Sequence, residues 1–142
     1  MFAFNSDRKR MSVVVRDGDT IRMYTKGADS IIKKRLADDQ TFDLDSELHR
    51  FSIIGLRTLL IASRVISQKE YENFKSKSED LPADRKEEAM DELINNLETD
   101  LYLIGATAVL DRLQDEVPET IRDMIRANVK VWMLTGDKLE TA

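Results

Sequence analysis

Val129-Lys130-Val131-Trp132-Met133-Leu134-Thr135-Gly136-Asp137-Lys138-Leu139-Glu140-Thr141-Ala142 is the stretch on which the fold assignment turns. Its first half is apolar and partly β-branched, and it reads as a buried strand that stops at Thr-Gly-Asp. Upstream, Val117, Ile121, Met124 and Ile125 recur at helical spacing, and Pro118 stands where a first turn accepts it. A helix feeding a strand predicts a parallel α/β unit. In such sheets ligands bind outside the carboxyl ends of the strands, which is where Thr135, Gly136 and Asp137 fall. A hydroxyl, a glycine that lets a ligand approach the backbone and a carboxylate suit a phosphate and its Mg2+. The same three residues also make an ordinary turn, and from the residues alone both readings stand.

Working outward, the rest of the chain has a different rhythm. Phe2 to Arg16 reads mainly as strand, stiffened by Val13, Val14 and Val15. Asp17-Gly18-Asp19 is a hairpin turn. Thr20 to Lys26 alternates, with Ile21, Met23 and Thr25 on one face and Arg22, Tyr24 and Lys26 on the other. A helix is predicted from Asp29, capped by Asp29 or Ser30, and another over 43–54, where Leu44, Leu48 and Phe51 share a stripe and Gly55 ends it. Leu56 to Ile66 reads as strand. Ser67 and Glu70 form a capping box that opens the next helix, and Asp84 and Glu87 repeat the pattern. Leu101 to Leu110 is the last strand of this part, with Gly105 placed for a bulge or a close approach.

Composition narrows the function. The chain has 142 residues and a net charge of −5, which disfavours nucleic acid as a partner. It has no cysteine, so disulfides and thiol chemistry are excluded. Its one histidine, His49, lies off the apolar stripe and reads as a surface residue; no multi-histidine metal site exists. No apolar run approaches the ~18 residues of a membrane span. Both ends read as cut rather than evolved, as in a fragment of a longer protein.

Several side chains have the chemistry of a ligand site and an equally simple structural reading. Phe4 is an aromatic beside the polar run Asn5 to Arg10, and by the residues alone it reads as a core ring that starts a strand. Arg8, Lys9 and Arg10 are three cations in a row; only one side of a strand can face a ligand, so at least one of them is structural. Lys26 stands at a strand end before Gly27, and Arg57 follows the break at Gly55. Asp111 ends a strand at a short polar hinge.

Five stretches, in order, resemble the P-type ATPases in their type IV, lipid-flippase form. They are Phe4-Asn5-Ser6-Asp7-Arg8-Lys9-Arg10-Met11-Ser12-Val13, Lys26-Gly27-Ala28-Asp29-Ser30, Gly55-Leu56-Arg57-Thr58-Leu59, Asp111 to Ile121, and Leu134 to Ala142. The resemblance implies an α/β fold by class: most of an α+β nucleotide-binding domain with an antiparallel sheet (1–108), a hinge (109–116), and the start of a parallel, haloacid-dehalogenase-like phosphorylation domain (117–142). It implies ATP and Mg2+ as ligands, with Phe4 on the adenine, Lys26 and Arg57 on the nucleotide, Thr135, Gly136 and Asp137 on phosphate, and Lys9 and Asp111 as weaker candidates. It further implies phospholipid as the transported partner, an accessory β-subunit, and a place on the cytosolic face of a membrane. Asp29, where ion pumps of the family usually have Pro, and Arg112-Leu113-Gln114 favour the flippase form, whereas Leu110 departs from the Glu common there.

The resemblance also marks what the chain lacks. The DKTGT motif with the nucleophilic Asp is not in it, so no catalytic residue is assigned and the chain by itself is expected to form no aspartyl-phosphate. An ion-transporting P-type ATPase and a non-catalytic nucleotide-binding or interaction module are the alternative readings.

Overall fold

The computed structural model describes residues 1–82, 85–110, 112 and 114–135. It contains a five-stranded antiparallel sheet made, in spatial and chain order alike, by β1 (Phe2–Asn5), β2 (Arg10–Asp17), β3 (Thr20–Ala28), β4 (Leu56–Ile66) and β5 (Tyr102–Leu110). The helices are α1 (Asp29–Ile32), continued by a 3-10 turn at Lys33–Arg35, then α2 (Leu44–Ile53), α3 (Gln68–Glu79), α4 (Lys86–Leu97) and α5 (Val117–Arg126). Two compact units result: Met1–Phe42 with Thr58–Thr107, and Asp43–Arg57 with the residues from Ala108 onward.

In the first unit, β2 and β3 form the expected hairpin, Asp17 opposite Thr20, around Gly18 at φ 57°. The alternation along β3 is the predicted one: Ile21, Met23 and Thr25 are buried, because a strand sends successive side chains to opposite faces. β4 continues the register from Ile21 opposite Ile66 to Ala28 opposite Leu59. Ile21, Met23, Leu60, Ala62 and Ile66 build the core with Ile32, Ile94, Leu97 and Leu101. On the other face, Met11, Val13, Tyr24 and Val65 stay exposed.

The predicted capping box closes α3. Glu70 N donates to Ser67 Oγ (3.2 Å) and Ser67 N donates to Glu70 Oε2 (2.9 Å). Donation from the Ser67 backbone, then from its hydroxyl, then the nearby Arg64 cation hold the Glu70 carboxyl below its ordinary range. A depressed folded value means the stabilisation is complete above the unfolded-state pKa and fades as pH falls through the folded one. Ser67→Ala should cost about 1 kcal/mol, read as a lower urea midpoint at neutral pH with a smaller gap in acid. Equal gaps at both pH values would rule out the coupling to Glu70.

Several expectations need correction. The polar run 6–9 is a turn, not strand, because Asp7 N bonds Asn5 Oδ1 (2.8 Å) and Lys9 N bonds Asn5 O (2.7 Å); β1 and β2 are therefore a hairpin. The helix after Asp29 lasts one turn, with Ala28 as a cap that offers no side chain, since Leu36 is drawn into a bridge with Leu101. A Cβ added at Gly105 would meet nothing within 4 Å, so no close approach requires the glycine there. α4 starts after Arg85 with no side-chain cap; Asp84 lies outside the described residues.

In the second unit, α2 is capped by Asp43, whose Oδ1 accepts from Ser46 N (3.1 Å), buries Leu48, and ends at Gly55 with φ 74°. α5 begins with Pro118 in its first turn, as predicted. The strand predicted over 129–134 is not formed: the segment carries no regular structure and is exposed, Trp132 at 81% and Leu134 at 95%. A parallel strand exists only against neighbours that take up its backbone hydrogen bonds, and among the described residues no strand pairs with it. The haloacid-dehalogenase-like sheet is thus not seen.

Candidate functional site

A buried ionic network lies beneath the turn between β1 and β2. Glu98, fully buried after the end of α4, takes Arg8 Nη2 on Oε1 (2.6 Å) and Arg10 Nε on Oε2 (2.5 Å). Ser12 Oγ donates to Oε1 (2.5 Å) and also meets Thr25 Oγ1 at 2.9 Å. Arg10 reaches Asn95 Oδ1 with Nη2 and Arg8 O with Nη1 (2.8 Å). Arg35 adds bonds to Glu98 O (3.3 Å) and Asn95 Oδ1 (3.2 Å). Burial first, and the charge of Arg10 second, lower the Arg35 pKa from its ordinary value. A carboxylate out of water needs such partners, and so do the guanidiniums.

The three consecutive cations therefore divide. Arg8 and Arg10 are 7% and 3% exposed and serve the fold, whereas Lys9 between them is exposed. Lys9 has φ 52°, a conformation uncommon outside glycine. Its carbonyl accepts from Ala28 N (3.0 Å), tying the turn to the end of β3. Gly27 makes that approach possible: a Cβ there would stand 2.5 Å from Arg10 Cβ and 2.7 Å from Lys9 O.

Phe4 owes its placement to a β-bulge. Phe2 pairs with Ser12 and Asn5 with Arg10, so Ala3 and Phe4 together oppose the single Met11. Such an insertion re-aims side chains. Plain alternation would put Phe4 beside Phe2, whose ring meets Phe74 edge-on at 5.7 Å. Instead Phe4 belongs with Met11 and is 62% exposed. Met11 pairs with Lys26, and Lys26 with Ile61. Phe4 and Lys26 thus stand in one row across the sheet, their backbones two strand spacings or about 10 Å apart. As β1 is an edge strand, Phe4 also borders an open groove of about 530 Å³ with Phe2, Arg8, Met90, Asp91 and Ile94. Arg8 Nε finds no hydrogen-bond acceptor there among the described residues; Asp91 Oδ1 is 3.8 Å away.

The first unit thus brings together Phe4, Lys9 and Lys26. Arg57 is exposed at the second position of β4 and belongs to the second unit, as does Thr135, also exposed. Gly136, Asp137 and Asp111 lie outside the described residues. Among the described residues no cluster of His, Asp or Glu could hold a metal ion, and no helix is long and apolar enough to cross a membrane. Sequence reasoning missed Glu98 and Asn95. Their only signal is an i, i+3 spacing of polar groups at the end of an apolar helix, which resembles any solvated face.

Residues 1–116 match the family model for the P-type ATPase cytoplasmic domain N. Over 98% of its length the chain is 46% identical to phospholipid-transporting ATPase DNF1 of Chaetomium thermophilum, 45% to phospholipid-transporting ATPase IC of Xenopus tropicalis and 45% to phospholipid-transporting ATPase DRS2 of Saccharomyces cerevisiae. It spans 9%, 12% and 11% of those relatives, about a tenth of their length. The chain belongs to the P-type ATPase family, in its cytoplasmic domain N, and its relatives there are phospholipid-transporting ATPases.

Proposed function

We propose that residues 1–108 bind ATP as part of a phospholipid-transporting P-type ATPase, with 109–116 as hinge and 117–142 as the start of the phosphorylation domain. The observation that carries this is the row Phe4–Met11–Lys26, with Lys9 tied to the end of that row through Ala28. An exposed ring offers a stacking surface for adenine, and two lysines close by offer charge to the phosphates. The backbones of Phe4 and Lys26, two strands apart in the sheet, leave a separation of about 10 Å for a nucleotide to bridge. Arg57 and Thr135-Gly136-Asp137 are proposed as nucleotide contacts by their motifs; Mg2+ would arrive as the counter-ion of ATP. In the full-length protein the γ-phosphoryl group would pass to an Asp outside this chain, and the aspartyl-phosphate would drive phospholipid from one leaflet to the other. The site would then face the cytosol, and an accessory β-subunit is proposed with it.

Nucleotide titration checks the site. Phe4→Ala should weaken ATP binding ten- to a hundred-fold, the equivalent of about 1–3 kcal/mol of lost stacking. Lys26→Ala and Arg57→Ala should each weaken it and flatten its dependence on salt, because a charge contact is lost. A folded Phe4→Ala protein with unchanged ATP affinity would end the adenine assignment.

A further inference from the structure

We propose that Glu98 is a positioning residue for the nucleotide contact of Lys9, an inference that rests on the nucleotide site proposed above. Lys9 sits between two arginines, each held by one oxygen of the same buried carboxylate, Arg8 at 2.6 Å and Arg10 at 2.5 Å. Arg10 Nη1 also grips Arg8 O at 2.8 Å, closing the loop across Lys9. The Lys9 backbone has no freedom left: its N–H goes to Asn5 O (2.7 Å) and its carbonyl to Ala28 N (3.0 Å).

A left-handed lysine costs energy and persists only where its surroundings over-determine it. Here the surroundings are Glu98, which anchors both flanking side chains inward and leaves only the Lys9 side chain outside. The end of α4 thus sets where the turn presents its one exposed cation, at the end of β3 that carries Lys26 and Gly27. The charge of Glu98 is essential to this. A glutamine retains one acceptor oxygen, but it cannot neutralise two guanidiniums, and its amide N–H groups face donors instead of acceptors. The turn should then relax and Lys9 should lose its place.

The experiment is displacement of trinitrophenyl-ATP by ATP in the full-length protein. The variants are Glu98→Gln, Lys9→Ala and Phe4→Ala, with Glu98→Gln combined with each of the other two. Glu98→Gln and Lys9→Ala should each weaken ATP about ten-fold, the size of one charged contact. The Glu98→Gln/Lys9→Ala pair should bind no worse than either single variant, because both remove the same contact. The Glu98→Gln/Phe4→Ala pair should show the product of the two losses. A general loosening of the fold would not produce that contrast.

Circular dichroism at the assay temperature verifies folding. If Glu98→Gln does not fold, Arg10→Lys replaces it, keeping the charge but losing the fork that spans Glu98, Asn95 and Arg8 O. Multiplied losses in the pair with Lys9→Ala would overturn the positioning role while leaving the nucleotide site intact. Unchanged affinity in both Lys9→Ala and Phe4→Ala would be a different result: it removes the site itself, and this inference with it.

Discussion

Replacing Glu98 with Ala should remove about 3–5 kcal/mol of stability, a large part of the roughly 5–15 kcal/mol that holds a domain. The loss does not come from a missing attraction alone. Arg8 and Arg10 are almost wholly buried and would keep their charges with no carboxylate between them. Ser12, 2% exposed, would also lose the oxygen it donates to. Urea denaturation followed by circular dichroism gives the number. The triple replacement Arg8→Met, Arg10→Met, Glu98→Leu is the informative partner. A buried ion cluster exchanged as a whole for apolar side chains of similar volume is often neutral or stabilising, so the triple variant should recover most of what Glu98→Ala loses. A triple variant as unstable as Glu98→Ala would mean that shape, not charge, governs this corner.

Gly27→Ala should cost about 1–3 kcal/mol as overpacking, and it should lower ATP affinity as well. The clash is with backbone on one side, Lys9 O at 2.7 Å and Arg10 Cα at 2.9 Å, and with Arg10 Cβ at 2.5 Å. None of these is the yielding end of a flexible side chain. Relief requires the β1–β2 turn to move away from β3, which breaks the Ala28 to Lys9 bond and separates Lys9 from Lys26. Gly105→Ala is the matched control, also in a strand but with nothing within 4 Å; it should stay within about 0.5 kcal/mol. Equal stability of the two variants would remove the steric role given to Gly27.

Local chemistry made much of the chain legible. Alternation placed β3 and its buried face, a β-branched run delimited β4, an apolar stripe with Gly55 framed α2 and a capping box opened α3, because each signal acts within a few residues. The five motifs pointed to the family, and the match over residues 1–116 agrees. Tertiary structure decided the rest. Arg8 and Arg10 went inward and Lys9 outward because Glu98, some ninety residues away in sequence, supplies a carboxylate that no local pattern announces. One extra residue in β1 moved Phe4 off the side of Phe2, and a bulge appears only once two strands are in register. The run 129–134 has the composition of a buried strand but the exposure of a loop. β propensity prepares a segment for a sheet, whereas only neighbouring backbone hydrogen bonds make it a strand.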